Sequence, residues 1–244
     1  MTDSCLVKKL GAYAELPPSD EDLLRELEKN ERTYRKDQLV RRAGQPIEEF
    51  FVVKTGWLCS FSIMEDGRRQ ILRIFFPGDI VDLSETALLR ANHDIKCLTA
   101  AILCPFPKAG LEPIFTTSPR LTALLFSMTV QEAAKLLERI RAVGRFSAYE
   151  RICYLLLEIS DRLRLTVPDV DEGFRLPLTQ TDIADLLGLT NVYVSKTIAR
   201  IERDRLIRRQ GNRVMLLDLA RLREACEYNR PTKIDTSWFP DVST

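Results

Sequence analysis

The apolar residues of this chain change their spacing along its length. Between about residues 34 and 107 they come in short runs closed by turn signals. Phe50-Phe51-Val52-Val53 runs into Lys54-Thr55-Gly56. An alternating stretch at 57–64 stops at Glu65-Asp66-Gly67. Residues 70–76 stop at Pro77-Gly78-Asp79, and 95–106 are strand-like again. Short β-favouring runs separated by Gly and Pro turns predict an all-β sandwich, roll or barrel. From Ser118 the step becomes three and four. Leu121, Leu124, Leu125, Met128, Leu136, Leu137, Ile140 and Val143 follow one another with no Gly or Pro before Gly144. This predicts one amphipathic helix over 118–144, about 40 Å long at ~1.5 Å per residue. Its stripe suits a core helix or a seam between two copies, with Gln131 and Glu132 interrupting the heptads. Gly144-Arg145-Phe146-Ser147 ends it, and Ile152, Tyr154, Leu155, Leu156 and Ile159 mark a second helix over 148–165. Residues 168–173 read as an acidic loop. Near the start, Pro17-Pro18-Ser19-Asp20 breaks the chain, and Ser19 or Asp20 is expected to cap a short helix bearing Leu23, Leu24 and Leu27.

The pattern after residue 178 is more specific. In Leu178-Thr179-Gln180-Thr181-Asp182-Ile183-Ala184-Asp185-Leu186-Leu187-Gly188-Leu189-Thr190, Thr179 is placed to cap a helix with Asp182 three residues on. Ile183 and Leu187 lie one turn apart. Ala184 admits a close crossing, and Gly188 supplies the turn. Thr190 caps the next helix, in which Val194 and Ile198 face inward. This is a helix-turn-helix pattern. It leaves Asn191, Val192, Tyr193, Ser195, Lys196 and Arg200 to face outward, where a recognition helix meets base edges and phosphates. Residues 189–213 carry seven Lys/Arg against Glu202 and Asp204, a local basic strip. Residues 206–216 then read as two short strands around Gln210-Gly211-Asn212. Such a hairpin is the wing of a winged helix, with Arg209 and Arg213 near its tip. Asp218 caps a last helix through Tyr228, and Trp238 and Phe239 lie in a tail that is left unassigned.

Charge and composition narrow the reading. Net charge is +1, so a nucleic-acid surface has to be a patch rather than the whole molecule. No apolar run approaches membrane-spanning length, and the first residues lack a signal-peptide pattern. A cytoplasmic protein with no membrane partner is expected, its six scattered cysteines reduced. His93 is the single histidine. A cupin-like metal enzyme or a Ser-His-Asp triad would have to be built around it, so no catalytic residue and no metal ligand is assigned, and an enzyme is not expected.

Taken with these motifs, the chain resembles the Crp/Fnr family of bacterial transcription regulators over about residues 30–225. The helix-turn-helix and wing carry most of the likeness. Gly44-Gln45-Pro46, Phe51-Val52-Val53-Lys54-Thr55-Gly56 and Phe76-Pro77-Gly78-Asp79 are similar to the glycine turns of the family's β-roll. The resemblance implies an α+β chain. A cyclic-nucleotide-binding-like roll with an N-terminal helix (1–117) leads to a dimerisation helix (118–144). A winged helix-turn-helix (145–230) and a tail (231–244) follow. It also implies a homodimer joined through Leu121, Leu125, Met128, Leu136, Leu137, Ile140 and Val143. Its double-stranded DNA partner would be met by Thr179, Thr190 and the outward residues above together with Arg209 and Arg213. An activator would also meet RNA polymerase.

The departures are as informative. Family members that bind cyclic AMP use a Gly-Glu pair and an Arg-Ser pair. Here Asp82-Leu83 falls at the first, and Asn92-His93-Asp94-Ile95-Lys96 holds no Arg-Ser. Arg90 or Lys96 would have to supply the cation from another arrangement, so cyclic AMP is not expected as effector. The iron–sulfur branch needs four thiolates. Cys104 lies near the roll position, but Cys5 is the lone N-terminal cysteine, so no cofactor is expected. Haem on His93 or a cysteine, or a redox thiol among Cys5, Cys59, Cys97, Cys104 and Cys153, stays open as an alternative sensor of the same fold. In the recognition helix Ser195 matches the family, Lys196 replaces Arg, and Val192 replaces a Glu that accepts from cytosine. Val cannot accept that bond but can touch a thymine methyl, so an altered half-site is expected.

Overall fold

The computed structural model describes residues 4–81, 83–166, 170, 173–229 and 234–240. The chain divides into two compact units. The first comprises residues 1–61, 74–134 and 232–244, the second 62–73 and 135–231.

The first unit begins with two short helices, α1 (Cys5–Gly11) and α2 (Pro18–Glu26). Ser4 caps α1 by accepting from the Val7 amide. The sequence did not suggest α1, which at seven residues is too short to show a period. The expected Ser19 or Asp20 cap of α2 does not form. Pro18 opens that helix, where its missing N–H leaves nothing unsatisfied, and Asp20 is buried in the first turn. Eight strands follow: β1 (Arg32–Tyr34), β2 (Leu39–Arg41), β3 (Glu49–Thr55), β4 (Leu58–Ile63), β5 (Arg69–Phe75), β6 (Ile80–Val81), β7 (Asp94–Cys97) and β8 (Ala101–Pro107). They form two four-stranded sheets, ordered β1-β8-β3-β6 and β2-β7-β4-β5. The outer half of the β4–β5 hairpin, residues 62–73, counts with the second unit.

Strand β3 shows why its run is continuously apolar. Phe51 and Val53 join a core that draws Leu58, Phe75, Ile95 and Leu103 from both sheets. Phe50 and Val52 point the other way, into a cluster with Leu6, Leu10, Leu24, Cys104 and Phe106. Successive side chains alternate faces, so a strand covered on both sides has no place for a polar residue. Gly78 lets α1 come close. It sits at φ +81°, and a Cβ there would be 2.8 Å from the Cys5 carbonyl oxygen. Beside it Lys9 and Asp79 form a buried ion pair.

After α3 (Glu112–Thr117), the long helix α4 spans Pro119–Arg145, matching the predicted period. Its first half completes the second cluster with Leu121, Leu124 and Leu125, all fully buried or nearly so. The tail also enters this unit. Phe239 is buried in the same cluster, the Arg120 guanidinium lies 5.9 Å from its ring, and Arg120 donates to the Pro240 carbonyl.

The second unit is helical with a small sheet. Helix α5 (Ala148–Leu163) starts at a capping box between Ser147 and Glu150. Then come β9 (Phe174–Arg175), α6 (Gln180–Leu187), α7 (Asn191–Arg203), β10 (Ile207–Gln210), β11 (Arg213–Leu216) and α8 (Leu219–Ala225). Helix α5 touches α7 and α8, and α6 touches α7. The sheet runs β10-β11-β9, so the predicted hairpin gains a third strand. Most of the predicted acidic loop at 168–173 lies outside the described residues.

Candidate nucleic-acid interface and roll interior

Local capping chemistry fixes the two helices of the motif. Thr179 accepts from the Asp182 amide at 3.0 Å, and Asp182 accepts from both the amide and the hydroxyl of Thr179. Gly188 ends α6 at φ 64°, ψ 42°, a left-handed residue whose N–H bonds the Ala184 carbonyl. Thr190 then caps α7 by accepting from the Tyr193 amide, and the Asn191 side chain donates to the Thr181 hydroxyl across the turn. Burial pushes the Asp182 carboxyl up. The hydrogen bonds from Thr179 and Arg69 outweigh this and hold it below the ordinary carboxylate range.

Helix α7 is two-faced. Val194, Thr197, Ile198 and Ile201 are buried. Asn191, Val192, Tyr193, Ser195, Lys196 and Arg200 are all exposed, Val192 and Tyr193 by 61% and 62%. Residues 192, 195, 196 and 200 recur at three- and four-residue steps, so they share one outward face. The six side chains singled out from sequence therefore lie together. Arg200 is the most constrained, with its guanidinium 4.9 Å from the Tyr149 ring and 3.9 Å from Asp204, which accepts from the Tyr149 hydroxyl.

On the wing, Arg209 precedes Gln210, the last residue of β10. Glu202 of α7 accepts from its amide, its Nε and, at 2.8 Å, its Nη2. Arg208 and Arg209 are both exposed. Arg213 is exposed and pairs in register with Arg175 of β9. Sequence reasoning passed over Arg175, because a two-residue strand gives no alternation to read. Like charges directly opposite each other are unfavourable on their own and favourable toward a shared anion.

The predicted seam residues divide. Leu121 and Leu125 are 1% and 4% exposed inside their own protomer's core, so neither can face a second copy. Met128 is partly buried against that same cluster. Leu136, Leu137, Ile140 and Val143 are exposed by 48–67%. Phe126 and Val130 are exposed as well, at 62% and 52%, and sequence reasoning missed them.

The roll carries Leu83, Arg90 and Lys96 at the positions considered for a cyclic nucleotide. Asp82 lies outside the described residues, and Leu83 begins a short 3-10 turn (Leu83–Glu85). The two cations considered for a cyclic phosphate are engaged elsewhere. Arg90 donates to the Gly44 carbonyl at 2.8 Å, and Lys96 pairs with Asp37. Trp57, Phe61 and Phe75 are buried. Burial pushes the thiols up, Cys97 to about 11 and Cys104, Cys153 and Cys226 to about 12. Among the described residues no group of three or more His, Cys, Asp or Glu is placed to hold a metal ion, and no helix is long and apolar enough to cross a membrane.

Residues 150–225 match the Crp-like helix-turn-helix domain family, and residues 31–118 match the cyclic nucleotide-binding domain family. The chain is 33% identical over 197 residues to the transcriptional activator protein FnrL of Cereibacter sphaeroides, covering 79% of each protein. It is 31% identical over 173 residues to the nitrogen fixation regulation protein FixK of Bradyrhizobium diazoefficiens, covering 71% of this chain and 72% of that protein. Among solved structures, FixK2 from Bradyrhizobium japonicum superposes with a TM-score of 0.72 at 27% identity, over 80% of this chain and 96% of that one.

Proposed function

Because this chain belongs to the Crp/Fnr family of DNA-binding transcription regulators, we propose that it works as a cytoplasmic homodimer that reads a two-half-site operator and catalyses no reaction. The observation that carries the dimer is the exposed stripe Phe126, Val130, Leu137 and Ile140 on α4. These positions repeat at steps of four, seven and three, the spacing of a two-stranded seam. The half of the stripe that the roll covers, Leu121 to Leu125, turns away from it. Two copies joined along such a helix present two α7 faces, which suits half-sites about 34 Å apart, one turn of DNA. FnrL is named a transcriptional activator. An activating role here, with RNA polymerase as the partner, follows that likeness.

We further propose that the roll works without a resident haem or iron–sulfur cluster and without cyclic AMP. The raised thiols and the committed Arg90 and Lys96 support this.

The test is selection of duplexes from a random library by full-length protein, followed by sedimentation of the complex. The expected result is an inverted repeat bound by two 28.0 kDa chains. A monomer at micromolar concentration, bound to a single half-site, would overturn the dimer reading.

A further inference from the structure

Residues 178–216 carry seven Lys/Arg and four carboxylates: Asp182, Asp185, Glu202 and Asp204. Each of the four faces a cation. Glu202 is held by Arg209, and Asp204 lies beside Arg200. The partner of the other two comes from far outside the motif. Arg69, the first residue of β5, donates from Nη2 to Asp182 at 2.7 Å and from Nε to Asp185 at 2.6 Å. Its neighbour Gln70 reaches the Leu186 carbonyl, the next residue of the same helix. The pair is well shielded, with the side chains of Arg69, Asp182 and Asp185 only 20%, 10% and 22% exposed.

Two consequences follow. Asp182 is the partner in the Thr179 capping box, so a guanidinium on its second oxygen fixes the first turn of α6. A fork that meets two carboxylates is also a directional contact that a single ammonium cannot copy. Secondly, two carboxylates stand on the helix whose N-terminal turn approaches the DNA backbone. Unmasked, they would repel phosphates over distances comparable with the Debye length. Without Arg69 the cluster would offset one more charge of the strip.

We propose that Arg69 is a positioning residue of the DNA-binding surface. It holds the Thr179 end of α6 through Asp182 and offsets one of the two negative charges of Asp182 and Asp185, so that this helix meets the phosphates with one net negative charge from the cluster rather than two. The inference deepens the DNA-binding reading and rests on it.

The test uses full-length wild type, Arg69→Gln, Arg69→Lys, Asp185→Asn and the Arg69→Gln/Asp185→Asn pair. Each is titrated by fluorescence anisotropy on a duplex selected by the wild type and on a random duplex of equal length. Arg69→Gln should weaken both duplexes about tenfold, a charge effect blind to sequence. Arg69→Lys should retain part of the binding. Adding Asp185→Asn to Arg69→Gln should recover most of the loss, which a merely structural clamp would not allow. Unchanged binding by Arg69→Gln, or no recovery in the pair, overturns the proposal. If Arg69→Gln melts out in circular dichroism, Asp185→Asn with Arg69 intact decides instead. It should bind both duplexes more tightly than wild type, and weaker binding overturns the masking. A wild type that shifts neither duplex overturns the DNA reading itself.

Discussion

Lys196 and Arg200 stand one turn apart on α7, yet their surroundings assign them different work. Lys196 is exposed on the outward face, whereas Arg200 is steadied over Tyr149 beside Asp204. Lys196→Ala should cost ~1–3 kcal/mol on the selected duplex and much less on random DNA, because a base contact carries the sequence information. Arg200→Ala should weaken both alike and lower the salt slope by about 1. Anisotropy titrations across a salt series separate the two, and equal losses on both duplexes for Lys196→Ala would remove its base-reading role. The cysteines give a second expectation at this scale. With thiols pushed up to about 11 and 12, Cys97, Cys104, Cys153 and Cys226 hold almost no thiolate at neutral pH. Native protein treated with iodoacetamide at pH 7.5 should label Cys5, which is partly exposed, long before these four. Rapid labelling of Cys104 or Cys153 would reopen a redox role. Thr179, Gly188 and Thr190 were legible in the sequence because capping acts within three or four residues. Arg69 was not, because 113 positions separate it from Asp182. The Glu202 contact of Arg209 was hidden for a related reason. Its partner Glu202 is only seven residues away, but a helix-to-strand turn had to be built before the two could meet.

Periodicity located helix α4 to within a residue of each end, but it could not say which neighbour takes which side. An apolar position contributes the same signal whether its cover is the same chain or another. The roll claims Leu121, Leu124 and Leu125, and the exposed stripe is carried by Phe126, Val130, Leu137 and Ile140. The two sets should respond differently to a buried charge. Leu137→Asp or Ile140→Asp should leave each protomer folded and yield monomers, since covering each such side chain contributes ~1.5–3 kcal/mol to association. Leu125→Asp should unfold the first unit instead, because an unpaired carboxylate would be placed in its core. Sedimentation beside thermal melting checks both. A Leu137→Asp variant that remains dimeric would show that the seam lies elsewhere. The elements missed from sequence, among them α1, α3 and β9, are the short ones. Tertiary partners hold them in place, the Gly78 turn for α1 and β11 for β9, and a short run of sequence does not display such partners.

For the whole molecule, family membership does not by itself name the effector. The chain keeps the architecture of the cyclic nucleotide-binding domain while its interior holds aromatic and aliphatic side chains, and Arg90 and Lys96 are occupied elsewhere. Burying a cyclic phosphate without a cation would cost about 5 kcal/mol. Calorimetric titration with cyclic AMP should therefore show no binding at micromolar concentration, and the nucleotide should leave DNA affinity unchanged. Micromolar binding that also tightens the DNA complex would reverse this assignment.

The docked tail bears on how the protein is made. Synthesis runs from the N-terminus, and domains generally fold in that order as they leave the ribosome. Here the first unit contains Phe239, which is translated after the whole winged helix. The cluster that Phe239 joins is therefore completed only after residues 145–229 have been made and 234–240 have followed. A ribosome that stalls or terminates within the winged helix thus releases a chain whose first unit is also unfinished. Truncated products that keep a sensor but lack a complete DNA-binding half are left exposed to proteolysis.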